Sequence, residues 1–292
     1  MSPAPFPFDA IRALKYLHEI CRIGPRVCGT SGMDRQREYL QAHFEPLCDR
    51  FAFQEFSNAA VPMANLVASW GVGVEHIERV LLCAHYDTRP IADREPDQND
   101  WHRPFLGAND GASGVALLME LARHLRSARL GIGVDIVFFD GEEYIFDPEN
   151  DMYFLGSTHF AEIYQTGRWP GHYLGAILLD MIAGRDAEFP VEAFSADWAG
   201  ELAGEVWGIA EEEGCPAFIP EIGQCVMDDH LPLNLAGIPT VVIIDSCYSH
   251  WHKLTDTPEQ CCAETLAQVA KVIIGWLERN QGRCESKRAQ GG

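Results

Sequence analysis

Val134-Asp135-Ile136-Val137-Phe138-Phe139-Asp140-Gly141-Glu142-Glu143 is the stretch that decides the fold. From Val134 to Phe139 the run is apolar apart from Asp135, without the polar alternation of a half-exposed strand. Such runs mark strands covered on both faces, as in parallel sheets. Ala176 to Leu179 and Thr240 to Ile244 read the same way, and Ala64–Trp70 and Val80–His85 read as further strands, with 71–78 as the connection between those two. Helical spacing appears at Phe8–Ile23, Met33–Leu47, Val115–Leu125, Gly156–Gln165 and Ala199–Glu213. A last helix is expected to start at Thr257 as N-cap, with Pro258 in the first turn and Gln260 closing a capping box. Strands alternating with helices predict an α/β fold, a single-domain three-layer sandwich. Its mixed sheet should have parallel central strands and helices on both faces. The domain is expected over residues 1–280, with 281–292 as a flexible tail.

In such sheets ligands bind beyond the carboxyl ends of the strands, and the chemistry-bearing residues sit there. His85 and Asp87 follow the strand ending at Ala84, and Asp110 lies between that strand and the next helix. Asp140, Glu142 and Glu143 follow Phe139, and Asp180 follows Leu179. Asp228-Asp229-His230 precedes the last strand; His250, His252 and Asp256 come after it. Each residue alone is an ordinary turn acid or core histidine. Together they would repel and desolvate one another at a cost of several kcal/mol unless a cation neutralises them. Oxygen and imidazole donors without thiolate suit catalytic zinc. Of the adjacent pair Glu142 and Glu143, one can bind the metal while the other faces substrate as a proton shuttle. Asp87 could orient the His85 ring.

The remaining features bound the function. The 292 residues carry 43 acidic and 22 basic side chains, a net charge of −21. That argues against a nucleic-acid partner and suits a peptide's α-ammonium group. No run of about 18 apolar residues predicts a membrane span. Met1-Ser2-Pro3-Ala4-Pro5-Phe6-Pro7 lacks a signal-peptide profile, so a cytoplasmic location is expected. The ten cysteines form no C-x-x-C pair and read as buried free thiols. The polar, aperiodic segment Arg89–Gly107, with three prolines, reads as a cover for the site or an irregular insert.

His85-Tyr86-Asp87, Gly107-Ala108-Asn109-Asp110-Gly111-Ala112-Ser113-Gly114, Phe138-Phe139-Asp140-Gly141-Glu142-Glu143 and Trp251-His252 occur in this order. The set resembles the zinc aminopeptidase superfamily with co-catalytic metals. More closely it resembles that superfamily's offshoot, the animal-type glutaminyl-peptide cyclotransferases and their bacterial relatives. The resemblance implies cyclisation of N-terminal glutamine to pyroglutamate, with peptide or protein N-termini as substrate. It implies Asp110, Glu143 and His252 as zinc ligands and Glu142 as general acid/base. In the aminopeptidases His85 and Asp180 would hold a second zinc, with Asp110 bridging. In the cyclases one zinc suffices, and Asp180 and Asp228 would form a hydrogen-bond network beside it. Trp251, Asp228-Asp229-His230 and the stretch from Phe138 to Ser157 favour the cyclase branch. Tyr144-Ile145-Phe146-Asp147-Pro148 departs from it, lacking the tryptophan that animal cyclases carry there. The rival readings are a two-zinc aminopeptidase and a catalytically silent binding module on the same scaffold. His230 and His250 fit either a pocket or a structural role.

Overall fold

The computed structural model describes residues 6–72, 78–128, 130–167 and 171–290, without the side chains of 282–290. Its strands are β1 (Arg50–Asn58), β2 (Val61–Trp70), β3 (Arg79–His85), β4 (Gly133–Phe139), β5 (Tyr173–Asp180), β6 (Phe189–Val191), β7 (Phe218–Ile222) and β8 (Thr240–Ile244). The helices are α1 (Ala10–Cys21), α2 (Ser31–Phe44), α3 (Ser113–Ala128), α4 (Leu155–Gln165), α5 (Ala193–Trp198), α6 (Gly200–Glu212), α7 (His230–Leu235) and α8 (Ala263–Gln290). Six strands form the main sheet in the order β1-β2-β4-β3-β5-β8. The pairs β1/β2 and β2/β4 are antiparallel, whereas β4, β3, β5 and β8 run parallel.

The apolar runs are explained by the two cores they fill. Leu82, Ala84, Ile136, Phe138, Ile177 and Leu179 turn to one face, into a core with Leu17 of α1, Leu118 of α3 and Ile273 of α8. Their neighbours Leu81, Cys83, Val137, Phe139 and Leu178 turn to the other face, against Phe160 of α4 and Leu233 of α7. Alternate side chains point to opposite faces, and both faces are dry, so no polar alternation survives. Helices lie on both faces, as expected.

Asp135 is the exception, and it has a partner. Its carboxylate takes a two-pronged contact from Arg79 (Nε–Oδ2 2.7 Å, Nη2–Oδ1 2.6 Å) and a hydrogen bond from the Tyr173 hydroxyl (2.7 Å). Both ions are almost fully buried, with 4% of Arg79 and 1% of Asp135 exposed. The pair fastens the starts of β3, β4 and β5, opposite the edge that carries the chemistry.

Three local features were not read correctly from the sequence. The edge strand β1 was not foreseen, because its residues are only partly buried and weakly patterned. The elements α5, α7, β6 and β7 were too short to show a period. Pro258 opens a separate 3-10 turn, Pro258–Gln260, and Thr257 makes no side-chain cap. The chain then extends, with the Cys262 amide donating to the Ala183 carbonyl (2.8 Å), and α8 begins only at Ala263. Beyond Asn280, where a tail was expected, the backbone stays helical to Gln290; the stretch holds no proline and is rich in helix-forming residues. The connection expected over 71–78 lies largely outside the described residues.

Parallel register aligns the strand exits. His85 stands opposite Phe139, and Asp180 opposite Ile244. The residues that follow therefore emerge side by side. Helix α3 can press onto this edge because Gly114 has no side chain: a Cβ there would lie 2.6 Å from the Leu179 carbonyl oxygen and 2.8 Å from the Ala84 Cβ.

Replacing Asp135 by Ala strands a buried guanidinium, and we expect a loss of about 3–5 kcal/mol in urea unfolding. The double replacement Arg79→Met with Asp135→Leu should recover most of that loss, since a buried pair exchanged for apolar groups is often neutral.

Candidate active site

Two buried carboxylates build the scaffold of the site by holding backbone amides. Asp87, fully buried, accepts from the amides of Glu142 (3.2 Å) and Glu143 (3.1 Å). It thereby fixes the turn after β4. Its Oδ1 is 3.6 Å from His85 Nδ1, so its firmer hold is on the glutamates rather than on the imidazole. Asp256, also fully buried, accepts from the amides of Asn109 (2.9 Å) and Asp110 (3.1 Å), and from the Tyr248 hydroxyl (2.8 Å). It was read from sequence as one more acid of the site; it is the anchor of the Asp110 loop. The tight turn between Asp110 and α3 uses Gly111 at φ +86°, where a Cβ would meet the Asp87 carbonyl oxygen at 2.5 Å.

On this scaffold the predicted ligand residues converge. His252 Nε2 lies 2.6 Å from Glu143 Oε1 and 3.7 Å from Asp110 Oδ2. His85 Nε2 lies 3.2 Å from Asp110 Oδ1 and 3.2 Å from Asp180 Oδ1. Ligand-capable atoms of His85, Asp110 and Glu143 all fall within 4.8 Å of one another. Asp110 is thus flanked by His252 on one carboxylate oxygen and His85 on the other. Asp110 Oδ2 and Glu143 Oε2 are buried with no hydrogen-bond partner. Buried carboxylate oxygens left unpaired are costly. A divalent cation between them removes that cost, and the oxygen and imidazole donors fit zinc.

The segment Arg89–Gly107 contributes residues that the sequence reading left out. Arg89 grips Asp93 with two hydrogen bonds (3.1 and 2.7 Å), and Asp93 Oδ1 lies 3.0 Å from His252 Nδ1. His252 itself sits in the left-handed backbone region at φ +53°, uncommon for a residue with a side chain. The Arg94 amide donates to the His252 carbonyl (3.3 Å), and the Arg94 guanidinium stacks 4.5 Å above the Trp251 ring. The only sequence signal for this was the i, i+4 spacing of Arg89 and Asp93, invisible in an aperiodic loop.

The electrostatics follow from burial. Burial raises the Glu142 carboxyl well above the usual range; His85 opposes the shift, while Glu143, Asp228 and Asp229 add to it. Burial also pushes Asp180 up to about 6 against the pull of His85. Asp228 is pushed up to about 7 by burial and by the neighbouring charge of Asp180. Glu143 goes the other way: burial would raise it, but the charge and hydrogen bond of His252 more than offset this. Crowded carboxyls of this kind share protons as a group.

Glu142, Asp180, Asp228 and Trp251 line a cavity of about 650 Å³ together with the ligand residues Asp110, Glu143 and His252. Tyr153 and Phe154 supply an aromatic wall, and Pro148 also reaches the cavity. The nearby Phe146, in the segment that lacks tryptophan, is 54% exposed and stacks edge-on with Tyr144 instead. Asp229 turns away to accept from the Ser157 hydroxyl. His230, fully buried, faces the Glu192 carboxylate at 3.2 Å, and His250 Nδ1 lies 2.8 Å from the Thr255 hydroxyl. Neither is among the residues that line the cavity. The described cysteines are free thiols, and most of them are buried.

Similarity to known proteins agrees with this architecture. Residues 65–277 match the family model "Peptidase family M28". Glutaminyl-peptide cyclotransferase of Bos taurus is 28% identical over 66% of this chain. The match spans 60% of that bovine protein's own length. The crystal structure of Fimbriiglobus ruber glutaminyl cyclase is 44% identical, with a TM-score of 0.90, over 94% of this chain and 96% of that one. A Zn-dependent exopeptidase from Parabacteroides distasonis is 30% identical, with a TM-score of 0.85, over 93% of this chain and 98% of that one. A sheet edge that gathers Asp110, Glu143 and His252 into one buried cluster, and a match covering most of the chain, lead to one placement: this chain belongs to peptidase family M28, on the side of that family where the glutaminyl cyclases stand.

Proposed function

We propose that the protein cyclises N-terminal glutamine of peptides to pyroglutamate and releases ammonia. The observation that carries this reading is the grouping of Glu142, Asp180 and Asp228 in one cavity with Asp110, Glu143 and His252. Three carboxyls stand beside the cation site without being needed to hold the ion.

Asp110, Glu143 and His252 would hold one zinc ion, which when bound supplies Lewis acidity to the γ-carbonyl oxygen of the substrate glutamine. The remaining work falls to the chain. Trp251, Tyr153 and Phe154 enclose the side chain and exclude water. The α-amine is tethered within the same residue, so its attack on the side-chain amide carbon, Cδ, gains from proximity. Glu142 accepts the proton that the amine loses as the new C–N bond forms. It delivers that proton to the departing amide nitrogen, which leaves as ammonia. Asp180 and Asp228 keep the proton within the buried group. His85 Nε2 hydrogen-bonds Asp180 at 3.2 Å and lies 3.2 Å from Asp110.

One observation favours a second reading, the two-zinc aminopeptidase. Asp110 offers separate oxygens to His252 and His85, and Asp180 lies beside His85, as a bridged pair of ions would require. The products separate the readings. Purified, zinc-loaded protein given a Gln-initiated peptide should release ammonia and keep every residue of the peptide. Free amino acids in place of ammonia would establish hydrolysis, and no turnover of any peptide would favour a silent binding module.

Two variants follow. Glu142→Gln should lower kcat for cyclisation by about 10²–10⁴-fold, the usual worth of a positioned proton carrier, with an unchanged circular dichroism spectrum and zinc content. Asp93→Ala removes the carboxylate that orients His252, and zinc affinity measured by chelator competition should fall by about 10–100-fold. Unchanged affinity would show that Asp93 does not support the ligand.

A further inference from the structure

Among the charged residues lining the cavity, the acids are all committed. Asp110, Glu143, Glu142, Asp180 and Asp228 belong to the buried group, and Asp93 is held between Arg89 and His252. Arg89, 3% exposed, is spent on Asp93 and lies 3.8 Å from Glu143. Arg94 is the other cation of the wall, and it is exposed to solvent. Among the described residues it has no acidic partner, although the whole chain carries a net charge of −21. The acids nearest to it in sequence are engaged: Glu95 accepts from the Leu254 amide at 2.7 Å, and Asp97 accepts from the Asn99 amide at 2.9 Å.

Arg94 is also held in place. Its guanidinium stacks on Trp251, and its own amide is bonded to the carbonyl of His252, the next residue. A stacked guanidinium keeps its in-plane N–H groups free, and these match a carboxylate in a two-pronged contact. Arg94 lines the same cavity as Trp251 and the metal-ligand candidate His252, and it stacks on the Trp251 ring.

We propose that Arg94 is a specificity residue that recognises a carboxylate on the second residue of the substrate, so that the preferred peptides begin Gln-Glu or Gln-Asp. The proposal rests on the cyclase reading for its substrate, but binding tests it separately. Basic second residues meet Arg94 as a like charge and are disfavoured.

The test uses three peptide amides, Gln-Glu-Ala, Gln-Ala-Ala and Gln-Lys-Ala, with the zinc content of every protein measured. Dissociation constants come from calorimetry on Glu142→Gln protein, whose turnover is slowed about 10²–10⁴-fold; KM comes from the active protein. The expected order of affinity is Glu, then Ala, then Lys, with about a fivefold advantage of Glu over Ala, near the upper value of an exposed ion pair. The advantage should shrink as salt is added. In the Arg94→Met background the three peptides should become equal, and in the Arg94→Glu background the order should invert. An inverted order is not a consequence of a disturbed Trp251 wall, which would shift all three peptides alike. A uniform shift, or no change of order in Arg94→Glu, overturns the proposal. Absence of ammonia from every Gln peptide would instead overturn the cyclase reading and leave the binding order to decide the role of Arg94.

Discussion

The site depends on carboxylates that hold backbone rather than substrate. Asp87 clasps the amides of Glu142 and Glu143, and Asp256 clasps those of Asn109 and Asp110. Hydrogen bonds to a charged group contribute about 1.5–3 kcal/mol each. Four of them, from two buried anchors, set the positions of the residues that carry the chemistry. The strands deliver these turns to one edge through parallel register, and the anchors then fix the turns to within hydrogen-bonding precision. Only after that do Asp110, Glu143 and His252 come close enough to share an ion.

Gathering so many acids is unfavourable by itself, and the surrounding structure absorbs the conflict in three ways. His85 and His252 each lie between carboxylates. Arg89 supplies a buried positive charge next to Asp93 and Glu143. The oxygens that still lack a partner, Asp110 Oδ2 and Glu143 Oε2, point to a cation. The left-handed backbone at Phe154, Met181 and His252, all lining the cavity, belongs to the same picture. Strained conformations of this kind persist where the surrounding packing over-determines them.

Much of this was legible in the chain itself. Strands β3, β4, β5 and β8 announced themselves because both faces are covered, and their carboxyl ends located Asp110, Glu142, Glu143, Asp180 and His252, whereas Asp228 lies upstream of β8. What was not legible was anything that depends on tertiary pairing. Strand β1 lies at an edge and is only half-buried, so hydrophobic pattern did not mark it. Thr257 had the spacing of a cap, but the Cys262 amide bonds to Ala183 and draws the chain out straight before α8 can begin. Asp135 interrupts an apolar strand because Arg79, far away in sequence, neutralises it. Asp87 read as a brace for the His85 ring and Asp256 as a site acid, and nothing local shows that each holds backbone amides instead. Arg89, Asp93 and Arg94 sit in a loop without a period, and their contacts to Trp251 and His252 exist only in three dimensions.

The central claim is that acids and imidazoles from distant segments share a divalent cation at the rim of the sheet. A crystal of zinc-replete protein, with anomalous data collected at the zinc absorption edge, addresses it most directly. The account predicts a strong anomalous peak bound by Asp110, Glu143 and His252, with ligand atoms about 2.0–2.2 Å away. No peak at that position, or a peak coordinated by other residues, would contradict it.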